Sequence, residues 1–246
     1  MTRPPAPAPA HADARRGEIA AGLARVRARV AAACEDAGRE VTEITIIAIT
    51  KTRPASDVGL LRELGVTDVG ENRDQEAAPK AAECARLGMT DLTWHFVGQL
   101  QTNKSSSVVR YAGVVHSVDR GRLVRALGQH ARQAGRTVTC LVQVSLDADP
   151  ARGGAPPDQV PGLADAVAGE DGLVLGGVMA VAPLGEPADA AFGKLADVAA
   201  AVRAAHPAAT MISAGMSADL EQAIAFGATH LRVGTALLGV RRAFVR

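Results

Sequence analysis

Aromatic side chains are scarce in this chain: four Phe, one Tyr and one Trp make up 2% of 246 residues. A core must therefore be filled by aliphatic residues and alanine, which the 48% apolar content permits. Cysteine is scarce as well. Cys34, Cys84 and Cys140 are odd in number, scattered and free of CxxC spacing. That argues against a disulfide framework or a zinc site and fits a reducing cytoplasm. Neither sign of charge dominates: 27 basic and 26 acidic residues leave a net +1, with no clustered basic face of the kind nucleic acid needs. No uninterrupted apolar run approaches the roughly eighteen residues of a membrane span. The Pro/Ala-rich start, Met1 to Ala14, lacks the apolar segment of a secretory signal. It reads as a disordered tail, leaving residues 15–246 as one domain. Two catalytic fingerprints are absent too: no Gly-rich dinucleotide motif follows the first strand, and no GxSxG nucleophile elbow occurs.

What the chain does have is Ile44-Thr45-Ile46-Ile47-Ala48-Ile49-Thr50-Lys51-Thr52. Isoleucine and threonine favour the pleated conformation, and near-continuous apolarity suits a strand covered on both faces. Glu43 and Pro54 bound it. Alternation puts Lys51 on the face of Ile47 and Ile49. If that face is a barrel interior, the amine points inward; desolvated, it loses basicity and attacks carbonyls to form a Schiff base. Taken alone, the stretch favours a solvated strand-end lysine, because most lysines are exposed.

Arg15 to Ala37 shows helical spacing, with Ile19, Leu23, Val26, Val30 and Cys34 on one face and Gly38 as a cap. Strands are expected at 44–51, 68–71, 92–97, 113–118, 138–146, 174–181, 211–213 and 230–233. Helices are expected around Val58–Leu64, Arg73–Leu87 (with Pro79 as a kink), Gln101–Val109, Arg120–Gln133, Asp158–Ala168 and Ala188–Ala205. Another runs from an N-capping Ser217 to Phe226, and Thr235 to Phe244 closes the chain as helix or coil. Eight strand–helix units point to a single (β/α)8 TIM barrel with an extra N-terminal helix. The alternative is a doubly wound open sheet.

A barrel carries its site at the carboxyl ends of its strands. The polar residues there are Lys51, Glu71 with Asn72, His95, Ser117 with Asp119, Ser213 to Ser217, and Arg232 to Thr235. The segments Ser213-Ala214-Gly215-Met216-Ser217 and Arg232-Val233-Gly234-Thr235 follow strands seven and eight, where barrels commonly seat a phosphate. They are also compatible with ordinary βα turns. A strand-one lysine facing a phosphate cradle implies a ligand with an aldehyde at one end and a phosphate at the other. Pyridoxal 5′-phosphate fits, with Arg232 beside the pyridine nitrogen or, alternatively, in a structural ion pair. His95 with His116 lacks a carboxylate or cysteine at metal-ligand spacing, and reads as a pair of satisfied barrel-rim histidines.

Thr50-Lys51-Thr52, the run from Gly70 to Glu76, Trp94-His95-Phe96-Val97-Gly98-Gln99-Leu100-Gln101-Thr102-Asn103-Lys104, His116-Ser117-Val118-Asp119 and the run from Gly215 to Ile224 occur in this order. In them the chain resembles the pyridoxal phosphate homeostasis proteins of the YggS/PROSC type, from Ile44 to Gly239. The resemblance implies a barrel like the N-terminal domain of alanine racemase and pyridoxal phosphate on Lys51. It implies cofactor contacts from Asn72, His95, Ser213, Met216, Ser217, Arg232, Gly234 and Thr235, with no catalytic residue and no metal. It further implies a role in cofactor balance, as a cytoplasmic monomer that buffers pyridoxal phosphate or passes it to recipient apo-enzymes. Ala214, where relatives often carry methionine, and the loop Asp147–Gly154 depart from the pattern. A racemase-like enzyme is the alternative. The chain ends at Arg246, soon after strand eight, and has a single tyrosine, Tyr111, so the second base of a two-base racemase is not expected.

Overall fold

The computed structural model describes residues 9–147, 153–183, 185 and 187–239. Helix α1 (Pro9–Asp36) comes first. It begins at Pro9 rather than Arg15, because alanine at positions 10, 12 and 14 favours helix and proline is tolerated in a first turn. The expected tail therefore loses residues 9–14 to helix, and residues 1–8 lie outside the described residues. The barrel follows as β1 (Thr45–Ile49), α2 (Ala55–Glu63), β2 (Asp68–Glu71), α3 (Asp74–Arg86), β3 (Thr93–Phe96), α4 (Ser105–Val108), β4 (Val114–Val118) and α5 (Gly121–Gln133). It continues as β5 (Val138–Gln143), α6 (Val160–Ala168), β6 (Leu173–Met179), α7 (Ala188–Ala205), β7 (Met211–Ser213), α8 (Leu220–Ala225), β8 (His230–Val233) and α9 (Thr235–Leu238).

All eight strands are parallel and close in sequence order. β1 completes the circle against β8, from Thr45 opposite His230 to Ala48 opposite Val233. This is the expected (β/α)8 barrel; an open doubly wound sheet is excluded by that last pairing. The helix across Pro79 is continuous. The closing helix stops at Gly239, which takes φ +77°; residues 240–246 lie outside the described residues.

α9 is a single turn, too short to cover the seam between β8 and β1. α1 covers it instead, packing on α8, α9 and α2. Gly22 permits this: a Cβ there would stand 2.3 Å from the Leu237 carbonyl oxygen. Arg15 pins the same helix, pairing with Asp57 at 2.7 Å and donating to the Leu238 carbonyl at 3.1 Å.

Strand alternation sorts the core into two shells. Ala48, Val115, Cys140 and Val233 join the large apolar cluster shared with the helices. The opposite face looks inward. There Val114, Leu141 and Met179 form a small cluster with Val181 and Met211, whereas β2, β3, β4, β7 and β8 present Asp68, His95, His116, Ser213, His230 and Arg232. An interior half-filled by polar groups is costly unless every group is paired.

Candidate functional site at the carboxyl end of the barrel

β1 ends at Ile49, so Lys51 is not on the strand but in the turn beyond it. The Arg53 N–H closes that turn on the Thr50 carbonyl at 2.9 Å. The pull out of strand geometry comes from Thr52, whose φ of +64° is the one positive value at a non-glycine among the described residues. A β-branched residue in that region costs about 1–3 kcal/mol and survives only where its surroundings hold it. Lys51 is half-buried. It shares a hollow of about 50 Å³ with Ile49, Thr52, Arg53, Gly234, Thr235 and Leu238. The turn of strand one and the loop after strand eight thus face one space.

The loop after β7 reaches the same region from the other side. Ser217 is not the N-cap expected of it: α8 starts at Leu220, and Asp219 accepts the Met216 N–H at 2.6 Å. The Ser217 hydroxyl oxygen instead accepts the Ala236 N–H of α9 at 3.2 Å. A hydroxyl oxygen used as acceptor keeps its own proton to donate. The Ser217 carbonyl is held by Arg29 at 2.8 Å, and Arg29 pairs with Glu221 at 2.6 Å. The first N–H groups of any helix lack intrahelical acceptors. The combination of Gly234, Thr235 and the Ser217 hydroxyl is therefore a set of neutral donors suited to an anion.

Below this rim a chain of hydrogen bonds crosses the barrel. Asp68 Oδ1 and His95 Nε2 are 2.9 Å apart; His95 Nδ1 and His116 Nε2, 2.8 Å; His116 Nδ1 and Ser213 Oγ, 2.9 Å. Arg232 Nη1 donates to Ser213 Oγ at 2.7 Å and Nη2 to the Ala180 carbonyl at 2.8 Å. β4 and β7 are not neighbours, so the His116–Ser213 bond runs through the interior. His95 is accordingly not the rim histidine expected from the sequence; it is buried inside, level with Gly70. His95 and His116 bond to each other, and no cluster of metal-ligating side chains occurs among the described residues. Burial, then the neighbouring His95 and Arg232, hold His116 well below its ordinary pKa. Burial also takes His230 down to about 4. Burial opposes ionisation of Asp68, but the bond to His95 prevails and keeps that carboxyl below its ordinary value. Burial lowers the Arg232 guanidinium to about 10, so it stays charged at neutral pH. Its partners are a hydroxyl and a carbonyl, not the ion pair considered from the sequence.

The structure thus brings Lys51 to Gly234 and Thr235, ties Ser217 to that turn, and joins Ser213, Arg232 and His95 beneath it. Asn72 is half-buried after β2, its carbonyl pressed so near Gly98 that a Cβ there would lie 2.1 Å away. Met216 is exposed on its loop. Neither shares a hydrogen bond with the other candidates among the described residues. A wider hollow of about 890 Å³ lies over β3–β6, lined by Gln99, Asp119, Arg120, Ser145 and Lys194 among others. Asp68 and Lys80 escaped the sequence reading. An aspartate opening a strand and a Glu76/Lys80 pair at i,i+4 were the available signals.

Comparison with known proteins decides the kinship. Residues 23–242 match the family described as alanine racemase, N-terminal domain. A Mycobacterium tuberculosis protein named pyridoxal phosphate homeostasis protein is 45% identical over 247 residues, covering 93% of this chain and 95% of the relative. The chain belongs to the pyridoxal phosphate homeostasis protein family. Among solved structures, PipY of Synechococcus elongatus with PLP bound is 34% identical, with a TM-score of 0.78, covering 90% of this chain and all of that one. Alanine racemase of Corynebacterium glutamicum, at 13% identity and a TM-score of 0.67, shares the fold over 94% of this chain and 62% of its own. The family resemblance read from the motifs is thereby shown, and so is the barrel it implied.

Proposed function

We propose that this protein binds pyridoxal 5′-phosphate through Lys51 and serves cofactor homeostasis, holding the cofactor and yielding it to recipient apo-enzymes rather than turning over a substrate. The observation that carries this reading is the single hollow shared by the amine-bearing turn of Lys51 and the anion-competent first turn of α9. Relatives named for pyridoxal phosphate homeostasis and the PLP-bound PipY support it. Bound there, the cofactor supplies an aldehyde that the Lys51 amine can condense with. The Ser217 hydroxyl and the N–H groups of Gly234 and Thr235 would hold its phosphate. Arg232, charged and anchored on Ser213 and Ala180, would face the ring nitrogen and disfavour its protonation, which would weaken the cofactor as an electron sink. His95 acts through His116 and Ser213 rather than by contact. Asn72 and Met216 border the mouth.

A racemase-like role needs a second base across the ring from Lys51. Tyr111 does not offer one: it sits edge-on to Trp94 with its hydroxyl 3.4 Å from Asp74. Among the described residues no helix is long and apolar enough to cross a membrane; the proposed setting is the cytoplasm and the proposed form a monomer. Borohydride reduction of the cofactor-loaded protein, followed by peptide mapping, tests the assignment. The label is expected on Lys51 and is expected to vanish in Lys51→Ala. A label on any other lysine refutes it.

A further inference from the structure

The turn that carries Lys51 is held on both sides by one ion-paired cluster built around a buried ammonium group. Lys80, on α3 and 7% exposed, donates to the Thr50 carbonyl at 2.8 Å, to Glu71 Oε1 at 2.5 Å and to Glu76 Oε1 at 3.1 Å. Glu71 is fully buried and also accepts the Thr50 hydroxyl at 2.7 Å. Glu76 accepts the Thr52 N–H. The residue before Lys51 is therefore tied to Lys80 and Glu71, the residue after it to Glu76, and Lys80 links the two carboxylates. The residue after it is the one holding the left-handed backbone. Nothing in the Thr50–Lys51–Thr52 sequence favours that conformation; a threonine left to itself returns to the extended or right-handed region. The conformation needs an external restraint, and the Glu71–Lys80–Glu76 cluster is the one bonded to both ends of the turn.

We propose that Lys80 and Glu76 are positioning residues for Lys51, holding its turn in the one conformation that aims the amine at the hollow it shares with Gly234 and Thr235. This rests on the reading that pyridoxal phosphate condenses with Lys51. In that step the amine nitrogen forms a C=N bond to the aldehyde carbon, and the aldehyde oxygen leaves as water with the two amine protons. The phosphate contacts come from β7 and β8 and do not depend on the cluster. Loosening the turn should therefore impair condensation while leaving phosphate-driven binding intact.

The test compares two probes on the full-length protein: pyridoxal 5′-phosphate, and pyridoxine 5′-phosphate, an alcohol that cannot condense. Lys80→Met leaves Glu71 buried without its cation and can fail to fold. Glu76→Ala, at a half-exposed position, then carries the test. The expected result is a fall of tenfold or more in the rate of borohydride-trapped attachment at Lys51, with pyridoxine 5′-phosphate affinity within twofold of wild type. Adding Thr52→Gly, which takes positive φ without strain, should restore most of the rate in the Glu76→Ala background, an effect a merely structural defect would not show. Equal attachment rates in wild type and Glu76→Ala, a parallel loss of both probes, or no rescue by Thr52→Gly would each overturn the proposal. Failure of wild type itself to be trapped at Lys51 would instead reject the underlying reading.

Discussion

His95 Nδ1 stands 2.8 Å from His116 Nε2, and the two rings are tilted by 59° with centroids 5.1 Å apart. One ring must donate to the other. Arg232 at one end of the chain can only donate, and ionised Asp68 at the other can only accept. With both imidazoles neutral this leaves one arrangement. Arg232 donates to Ser213, Ser213 to His116 Nδ1, His116 Nε2–H to His95, and His95 Nε2–H to Asp68. Every bond points the same way, from the charged guanidinium to the half-buried carboxylate. A proton added at His95 would reverse the His95–His116 link, and the Ser213–His116 link with it.

That polarity makes Ser213 the weak point. Ser213→Ala strands the Nη1 group of Arg232 and the Nδ1 atom of His116, both buried. An unsatisfied buried polar group costs about 1–3 kcal/mol. Urea unfolding should show stability lowered by that amount, seen as a lower midpoint at an unchanged slope. An unchanged midpoint would mean the chain is not continuous through Ser213.

Acid should weaken the fold through its buried histidines. His230 falls from an ordinary 6.5 to about 4 in the folded state, and His116 is also held low. The unfolded chain therefore binds more protons in this window, and stability rises with pH. The contribution is complete above pH 6.5, is lost as pH falls toward 4, and then levels off. For His230 alone it is on the order of 3 kcal/mol. Denaturation midpoints at pH 7.5 and 4.5 check this. His230→Gln should flatten the difference, and a variant as acid-sensitive as wild type would contradict it.

Ser217 should serve the phosphate and not the amine. Hydrogen bonds to a charged acceptor are worth about 1.5–3 kcal/mol, so Ser217→Ala should weaken pyridoxal 5′-phosphate binding by about tenfold or more. Attachment at Lys51 should persist at saturating cofactor. Pyridoxal, which lacks the phosphate, should bind wild type poorly and scarcely distinguish it from the variant. Equal losses for both ligands would take Ser217 out of the phosphate site.

Gly22 pits helix propensity against contact. Glycine to alanine in a helix interior gains up to about 1 kcal/mol. A Cβ at this position, however, would lie 2.3 Å from the Leu237 oxygen, a backbone atom that cannot rotate away. Overpacking typically costs 1–3 kcal/mol, so Gly22→Ala should lower Tm. A raised Tm would show that α1 does not rest this closely on α9.

The order of strands and helices, the buried first strand, the two glycine-bearing loops after β7 and β8 and the family motifs are local patterns, and the sequence alone determined them. Side-chain period and turn residues act between near neighbours, so a linear reading can find them. It also singled out Lys51 and the loop after β8, which the fold brings to one hollow. It could not find where β1 stops, because the Glu76 carboxylate that accepts the Thr52 N–H lies far along the chain. It placed His95 on the rim because periodicity gives a face, not a depth; register against β2 put it inside. Ser217 looked like a cap since its local signal is a cap's, yet the nearer acceptor need belonged to Ala236 of another helix. Asp68 and Ser213 acquired their roles only when closure of β1 on β8 made one small interior whose polar groups pair across different strands, and Lys80 when α3 packed against the ends of β1 and β2.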